Sequence, residues 1–200
     1  MNPYRIASLL VVSCCLLSFK PLSAQDTTSP FGGNKQFSAD MNVTTAKGQN
    51  ITQKVYTDSG KVRMEINMQG MQAVTIVRPD QNKVYTVLVG EKMVMEAPYN
   101  AEKYKKLMVA TSGPDGTVEV VGPDTVDGVA CTKYKITSKD GKVSFFWNDA
   151  STKAPVKLAA DDGSYTILWT NYKAGPQDPS LFEPPAGYQT IPMPSGMPGQ

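Results

Sequence analysis

Histidine is absent from all 200 residues. That one omission removes the commonest general base, the usual partner of a nucleophilic serine or cysteine, and the commonest transition-metal ligand. Cysteine is nearly as scarce: of the three, Cys14 and Cys15 lie in the first apolar stretch, so Cys131 has no internal disulfide partner once that stretch is removed. Thiolate zinc frameworks are excluded with it. Between Ala130 and Thr132, in a strand-like run, Cys131 reads as a small buried hydrophobe. No glycine-rich phosphate loop is present. Asp124-Thr125-Val126-Asp127-Gly128 lacks the spacing and terminal Glu of a calcium loop, and Asp161-Asp162-Gly163 has the composition of a hairpin turn. This inventory points away from an enzyme, names no catalytic residue, and calls for no metal or other cofactor.

An apolar run of any length occurs only at the start. Ile6 to Leu17 follows Arg5 and is closed by the small-residue exit Ser23-Ala24, the pattern of a secretory signal peptide over residues 1–24. A periplasmic or secreted bacterial protein is therefore expected. The run is too short to span a bilayer, where roughly 20 apolar residues are needed, so the mature chain should carry no transmembrane segment. Val11-Val12-Ser13-Cys14 also has the order of a bacterial lipoprotein signal, which would make Cys14 an acylated N-terminus. Because Cys15-Leu16-Leu17 continues the apolar core past Cys14, cleavage after Ala24 is the preferred reading. Residues 1–24 hold Arg5 and Lys20 but no acid, which leaves 18 basic residues against 18 acidic ones. A neutral chain without a basic block has no electrostatic reason to bind nucleic acid or an anionic membrane face.

Residues 25–35 are rich in Thr, Ser, Pro and Gly and read as a flexible leader. Alternation begins after it. In Gln36 to Val43 the apolar set is Phe37, Ala39, Met41 and Val43, and in Lys61 to Gln69 it is Val62, Met64, Ile66 and Met68. Turn dipeptides such as Ser59-Gly60, Gly90-Glu91 and Asp140-Gly141 punctuate these runs. Strands are predicted at 36–44, 49–57, 61–69, 72–78, 83–89, 92–96, 117–122, 129–138, 142–148, 155–160 and 164–173, joined as an antiparallel meander. One helix is predicted over Ala101 to Ala110, capped by Asn100. These elements make one β domain over 36–190. The tail to Gln200 holds too many prolines for a central strand, with Leu181-Phe182 placed to dock before a Pro-rich end at 191–200.

Two strands are apolar on both parities: in Lys83 to Val89, Tyr85, Val87 and Val89 oppose Val84 and Leu88, and in Val143 to Trp147, Val143, Phe145 and Trp147 oppose Phe146. Such strands must be covered on both faces, by another part of the chain, a partner or an apolar ligand. Methionines concentrate in the same region, and flexible thioethers suit either an irregular core or a lining that accepts varied apolar partners. The candidate lining is Val62, Met64, Ile66 and Met68, with Tyr85 and Val87 nearby. Arg63 and Arg78 are the candidates for a head-group role.

Five segments, in order, carry a resemblance: Gly60-Lys61-Val62-Arg63-Met64-Glu65, Val77 to Tyr85, Val121 to Tyr134, Ala154-Pro155-Val156-Lys157, and Phe182-Glu183-Pro184-Pro185-Ala186-Gly187-Tyr188. Together they resemble an exported bacterial family of unassigned function within the superfamily of the periplasmic lipoprotein carrier LolA. The resemblance implies a curled antiparallel sheet, an unclosed half-barrel whose concave face can enclose an acyl chain, with fewer helices here than the carrier uses as a lid. It supplies no catalytic residues. The expectation is a mainly β, non-enzymatic binding protein for an acyl lipid or lipoprotein. The alternative is an envelope structural or sensing module that binds a protein segment.

Overall fold

The computed structural model describes residues 35–68, 70–101, 104 and 116–193, with backbone alone at Met68. The expected signal peptide at 1–24, most of the leader and the end of the tail lie outside these residues. Twelve strands hydrogen-bond into one sheet: β1 (Gln36–Thr45), β2 (Asn50–Asp58), β3 (Lys61–Met68), β4 (Met71–Arg78), β5 (Lys83–Leu88), β6 (Met93–Pro98), β7 (Gly116–Val126), β8 (Val129–Ser138), β9 (Val143–Asp149), β10 (Pro155–Ala160), β11 (Tyr165–Ala174) and β12 (Gln189–Pro192). Local chemistry sets the turns. Ser59-Gly60, with φ of 51° and 90°, joins β2 to β3, and Asp127-Gly128, with 48° and 83°, joins β7 to β8; paired positive φ values match the twist of the flanking strands. After β9 the Asp149 carboxylate accepts from Ser151 N and Thr152 N, both at 2.8 Å, and closes an Asx-type turn.

The strand order is β12-β6-β5-β4-β3-β2-β1-β11-β10-β9-β8-β7. Two meanders, β1 to β6 and β7 to β11, are joined where β1 pairs antiparallel with β11. The last strand returns across the molecule to lie parallel to β6. Because β7 and β12 remain free edges, the curled sheet is an unclosed half-barrel. The predicted strands are all present, those at 129–138 and 155–160 with the predicted bounds and the rest with shifted ends. β7 runs on to Val126 because a register slip between Val120 and Gly122 admits Pro123, which costs no ladder bond on an outer edge. β12 is new: four residues of the Pro-rich tail, at the sheet edge, ordered by the neighbour they pair with. Ala101 and Tyr104 are helical, and Tyr104 N donates to Asn100 O at 3.1 Å as the expected first turn requires. The remainder of the predicted helix over 101–110 lies outside the described residues.

Register sorts the side chains onto two faces. The first, here the Met64 face, carries a cluster of Phe37, Ala39, Ile136, Phe146, Leu158 and Trp169 and a second of Val55, Val62, Met64, Val77 and Val84, with Met41 packed against both. Tyr99 and Tyr104, their rings stacked 5.9 Å apart, lie against the second cluster. The opposite face holds Val74, Ile76, Tyr85, Val87 and Val94 beneath Phe182, with Leu181 and Tyr188 packed beside them. Strands β4 and β5 are therefore buried on both sides. Each fully buried Val or Ile there is worth about 1.5–3 kcal/mol relative to exposure.

Candidate binding face

The Met64 face is defined by what it carries and what it excludes. Every strand methionine with a described side chain, namely Met41, Met64, Met71, Met93 and Met95, has this parity by register. One cross-strand row reads Met95, Thr86, Thr75, Met64, Val55. No charged residue of the described strands shares it: Lys54, Arg63, Glu65, Glu96, Lys133, Lys135 and Lys157 are all on the opposite parity, as are the other strand acids and bases. The sheet thus has one uncharged face rich in flexible thioethers. Its other face is charged wherever it is not covered.

Of the residues expected to line a site, Val62 and Met64 lie in this face and are 4% and 9% exposed, while Ile66 is half-buried. Position 68 pairs with Met71 and so has the same parity. Tyr85 and Val87 do not belong with them. Tyr85 pairs with Ile76 and Val87 with Val74, which puts both on the opposite face, under Phe182. The correction has a simple physical cause. Alternation fixes which residues of one strand share a side, whereas only register decides which side of the neighbouring strand they join.

The two arginines are corrected as well: neither is free to meet a head group. Both lie on the opposite face and hold a strap of chain, residues 178–188, against it. Arg63 Nη1 donates to Leu181 O at 3.0 Å and its Nε to Glu65 Oε1 at 2.7 Å. Arg78, its side chain 8% exposed, forks onto Asp80 at 2.9 and 2.8 Å, and its Nη1 reaches Phe182 O at 3.1 Å and the Glu183 carboxylate. That fork holds the Asp80 carboxyl below its ordinary range. Asp178 begins the strap by accepting from Ser180 N at 2.9 Å, and Lys61 Nζ stands 5.7 Å over the Phe182 ring. Docking of Leu181-Phe182 agrees with the sequence reading. The arginine clamp was missed because its acceptors are backbone carbonyls more than a hundred residues away in the chain.

The second doubly apolar strand is covered differently. On the side away from Met64, Lys133 Nζ sits 4.5 Å from the Phe145 ring and 4.9 Å from that of Trp147, and Lys157 Nζ sits 5.0 Å from Trp147. Trp147 Nε1 donates to Asp124 Oδ2 at 2.8 Å, which lowers the Asp124 pKa. Lysine stems thus do for β9 what the strap does for β4 and β5. Cys131 is buried, which raises its thiol pKa. Among the described residues no group of three His, Cys, Asp or Glu is placed to hold a metal ion, and no helix is long and apolar enough to cross a membrane.

No curated protein matches this chain. An uncharacterized conserved protein from Thermus thermophilus is similar in structure with a TM-score of 0.59 at 11% identity, covering 80% of this chain and 91% of its own; at that identity the likeness shows the fold alone. The Pseudomonas aeruginosa MucA/MucB complex gives 0.49 at 13% identity, over 81% of this chain and 59% of that one. A LolA superfamily protein from Nitrosomonas europaea gives 0.33 at 8% identity, over 74% and 89%. The model described as Domain of unknown function (DUF4412) matches residues 37–150, more than half of the sequence and nearly all of β1 to β9. The chain therefore belongs to the DUF4412 family, a family of unassigned function, as the resemblance carried by its five segments implies.

Proposed function

We propose that this is an exported, non-enzymatic binding protein that holds a lipid, or the acyl chain of an acylated protein, on the Met64 face. The observation that carries the reading is the segregation of side chains. β-branched residues occur on both faces, whereas every strand methionine with a described side chain collects on the face without charge and none on the face sealed by the strap. Unbranched thioethers adapt to apolar partners of varied shape, and β-branched side chains do not. Val62, Met64, Ile66 and position 68 form the floor, and each CH₂ of an acyl chain moved onto it from water is worth about 0.8 kcal/mol. The signal-peptide pattern of residues 1–24 supports export.

A second reading draws on one specific observation. Val62 and Met64 already lie beneath Tyr99 and Tyr104, which favours an envelope structural or sensing module whose face is filled by its own chain or by a protein segment. Native mass spectrometry of protein purified from its own envelope separates the two. An acyl lipid or acylated protein travelling with the chain is expected. Ligand-free protein that also fails to take up a fluorescent fatty-acyl probe would overturn the lipid reading and leave the second.

A further inference from the structure

Trp169 carries an orphaned donor. It sits on the Met64 face of β11, directly across from Met41 of β1, 6% exposed and edge-on to Phe146 with ring centroids 6.3 Å apart. Its Nε1–H is buried with no hydrogen-bond partner. Trp147 uses the same atom to reach Asp124, so the lack of a partner belongs to the site and not to the residue type. A buried N–H without an acceptor is costly, and buried indoles ordinarily find one. The buried neighbours in its cluster, Phe37, Ala39, Phe146 and Leu158, have no side-chain acceptor to offer, and the hydroxyls of Tyr134, Tyr165 and Tyr172, which pack against the cluster, do not reach it.

A single unpaired donor in an apolar wall is what a site needs to orient a mostly apolar ligand. We propose, resting on the lipid reading above, that Trp169 Nε1–H is the polar anchor of the Met64 face and donates to the carbonyl oxygen of an ester-linked acyl chain. The acceptor is an uncharged carbonyl because, in the described strands, every lysine and arginine is on the opposite parity. An ionised carboxylate would lose its water there with no counter-charge from the described strands to replace it. Half-buried Met41 is the neighbour whose unbranched side chain yields to admit the ligand.

The test uses two lysophospholipids that differ at one group, 1-palmitoyl-lysophosphatidylcholine and 1-O-hexadecyl-lysophosphatidylcholine, the ether lacking the carbonyl. The wild-type protein should bind the ester about tenfold more tightly than the ether, about 1.4 kcal/mol, and Trp169→Phe should erase that difference while still binding both. In Trp147→Phe protein, where Trp169 is the remaining tryptophan, the ester should shift its emission to the red and the ether should not; this arm decides the matter if Trp169→Phe fails to fold. Equal wild-type affinities, with no selective emission shift, would overturn the anchor while leaving lipid binding intact. Binding of neither lipid would overturn both.

Discussion

Single residues on the two faces answer differently to the same chemical change. Met64 is buried among Val55, Val62, Val77 and Val84, so Met64→Asp strands a carboxylate without a partner and should cost more than about 3 kcal/mol or prevent folding. Ile66 shares the face but is half-buried; Ile66→Asp can keep its carboxylate wet, and the variant should retain its far-UV circular dichroism while losing uptake of a fluorescent acyl probe. If Ile66→Asp takes up the probe as the wild type does, that part of the face is not a lining. Arg78 offers the counterpart on the other side. Arg78→Ala removes donors from Phe182 O, Asp80 and Glu183, yet both carboxylates are about half exposed and regain water. The loss should stay near about 2 kcal/mol in urea unfolding, below the cost of breaking a fully buried pair. A change under about 0.5 kcal/mol would mean that the arginine does not hold the strap. Neither role was readable from residue type alone, since an arginine in an alternating strand has the same pattern whether it meets solvent or a distant carbonyl.

Among the elements, the strap at 178–188 and the edge strands show how non-local pairing completes what local pattern begins. The alternation of β1 to β6 and the turn pairs between them suffice to write the hairpins in order, because each hairpin needs only its own residues. The strap has no such pattern. It is ordered by Phe182, fully buried against Val74, Ile76 and Val94 of the sheet. Phe182→Ala should therefore cost about 3–5 kcal/mol, and amide exchange should show β12, whose pairing with β6 lies beyond the strap, losing protection before the central strands. Uniform loss across the sheet would instead make the strap part of one cooperative unit. At the other edge, β7 exposes Val120 and Val121. Its bulge, Pro123 and the acids Glu119 and Asp124 keep that edge from offering a flat ladder to another chain.

For the whole molecule, the absence of histidine sets the shape of stability against pH. Asp140 and Asp149 are held down to about 2 by hydrogen bonds from Ser138 and Ser151 respectively, and Asp58, Asp80, Asp124, Asp162 and Asp178 are also lowered. A carboxylate with a lowered native pKa stabilises the fold fully above its unfolded value, near 3.8, and that stability drains away as pH falls toward 2. Burial raises Cys131 from 9.0 and Tyr104 from 10.0, so their share is complete below those values and is lost as pH rises beyond them. Thermal melts should show a plateau from pH 5 to 8, a fall in Tm between about pH 4 and 2, and a second fall above about pH 9. A step in Tm near pH 6.5 would contradict this, since no side chain here has the imidazole range.

The sequence by itself determined a mainly β chain, its strand and turn order, the exclusion of histidine-dependent and thiolate-zinc chemistry, and the common parity of Val62, Met64, Ile66 and position 68. Those features follow from backbone periodicity and from residue inventory, which are local or additive. Tertiary structure alone decided that β1 meets β11, that β12 returns to β6, that Tyr85 and Val87 lie opposite Met64, that Arg63 and Arg78 clamp a strap, and that Trp169 Nε1 is buried without a partner. Each of these depends on register between strands or on segments far apart in the chain. A period of two says which side chains share a face of one strand, and only the packed sheet says what lies against them.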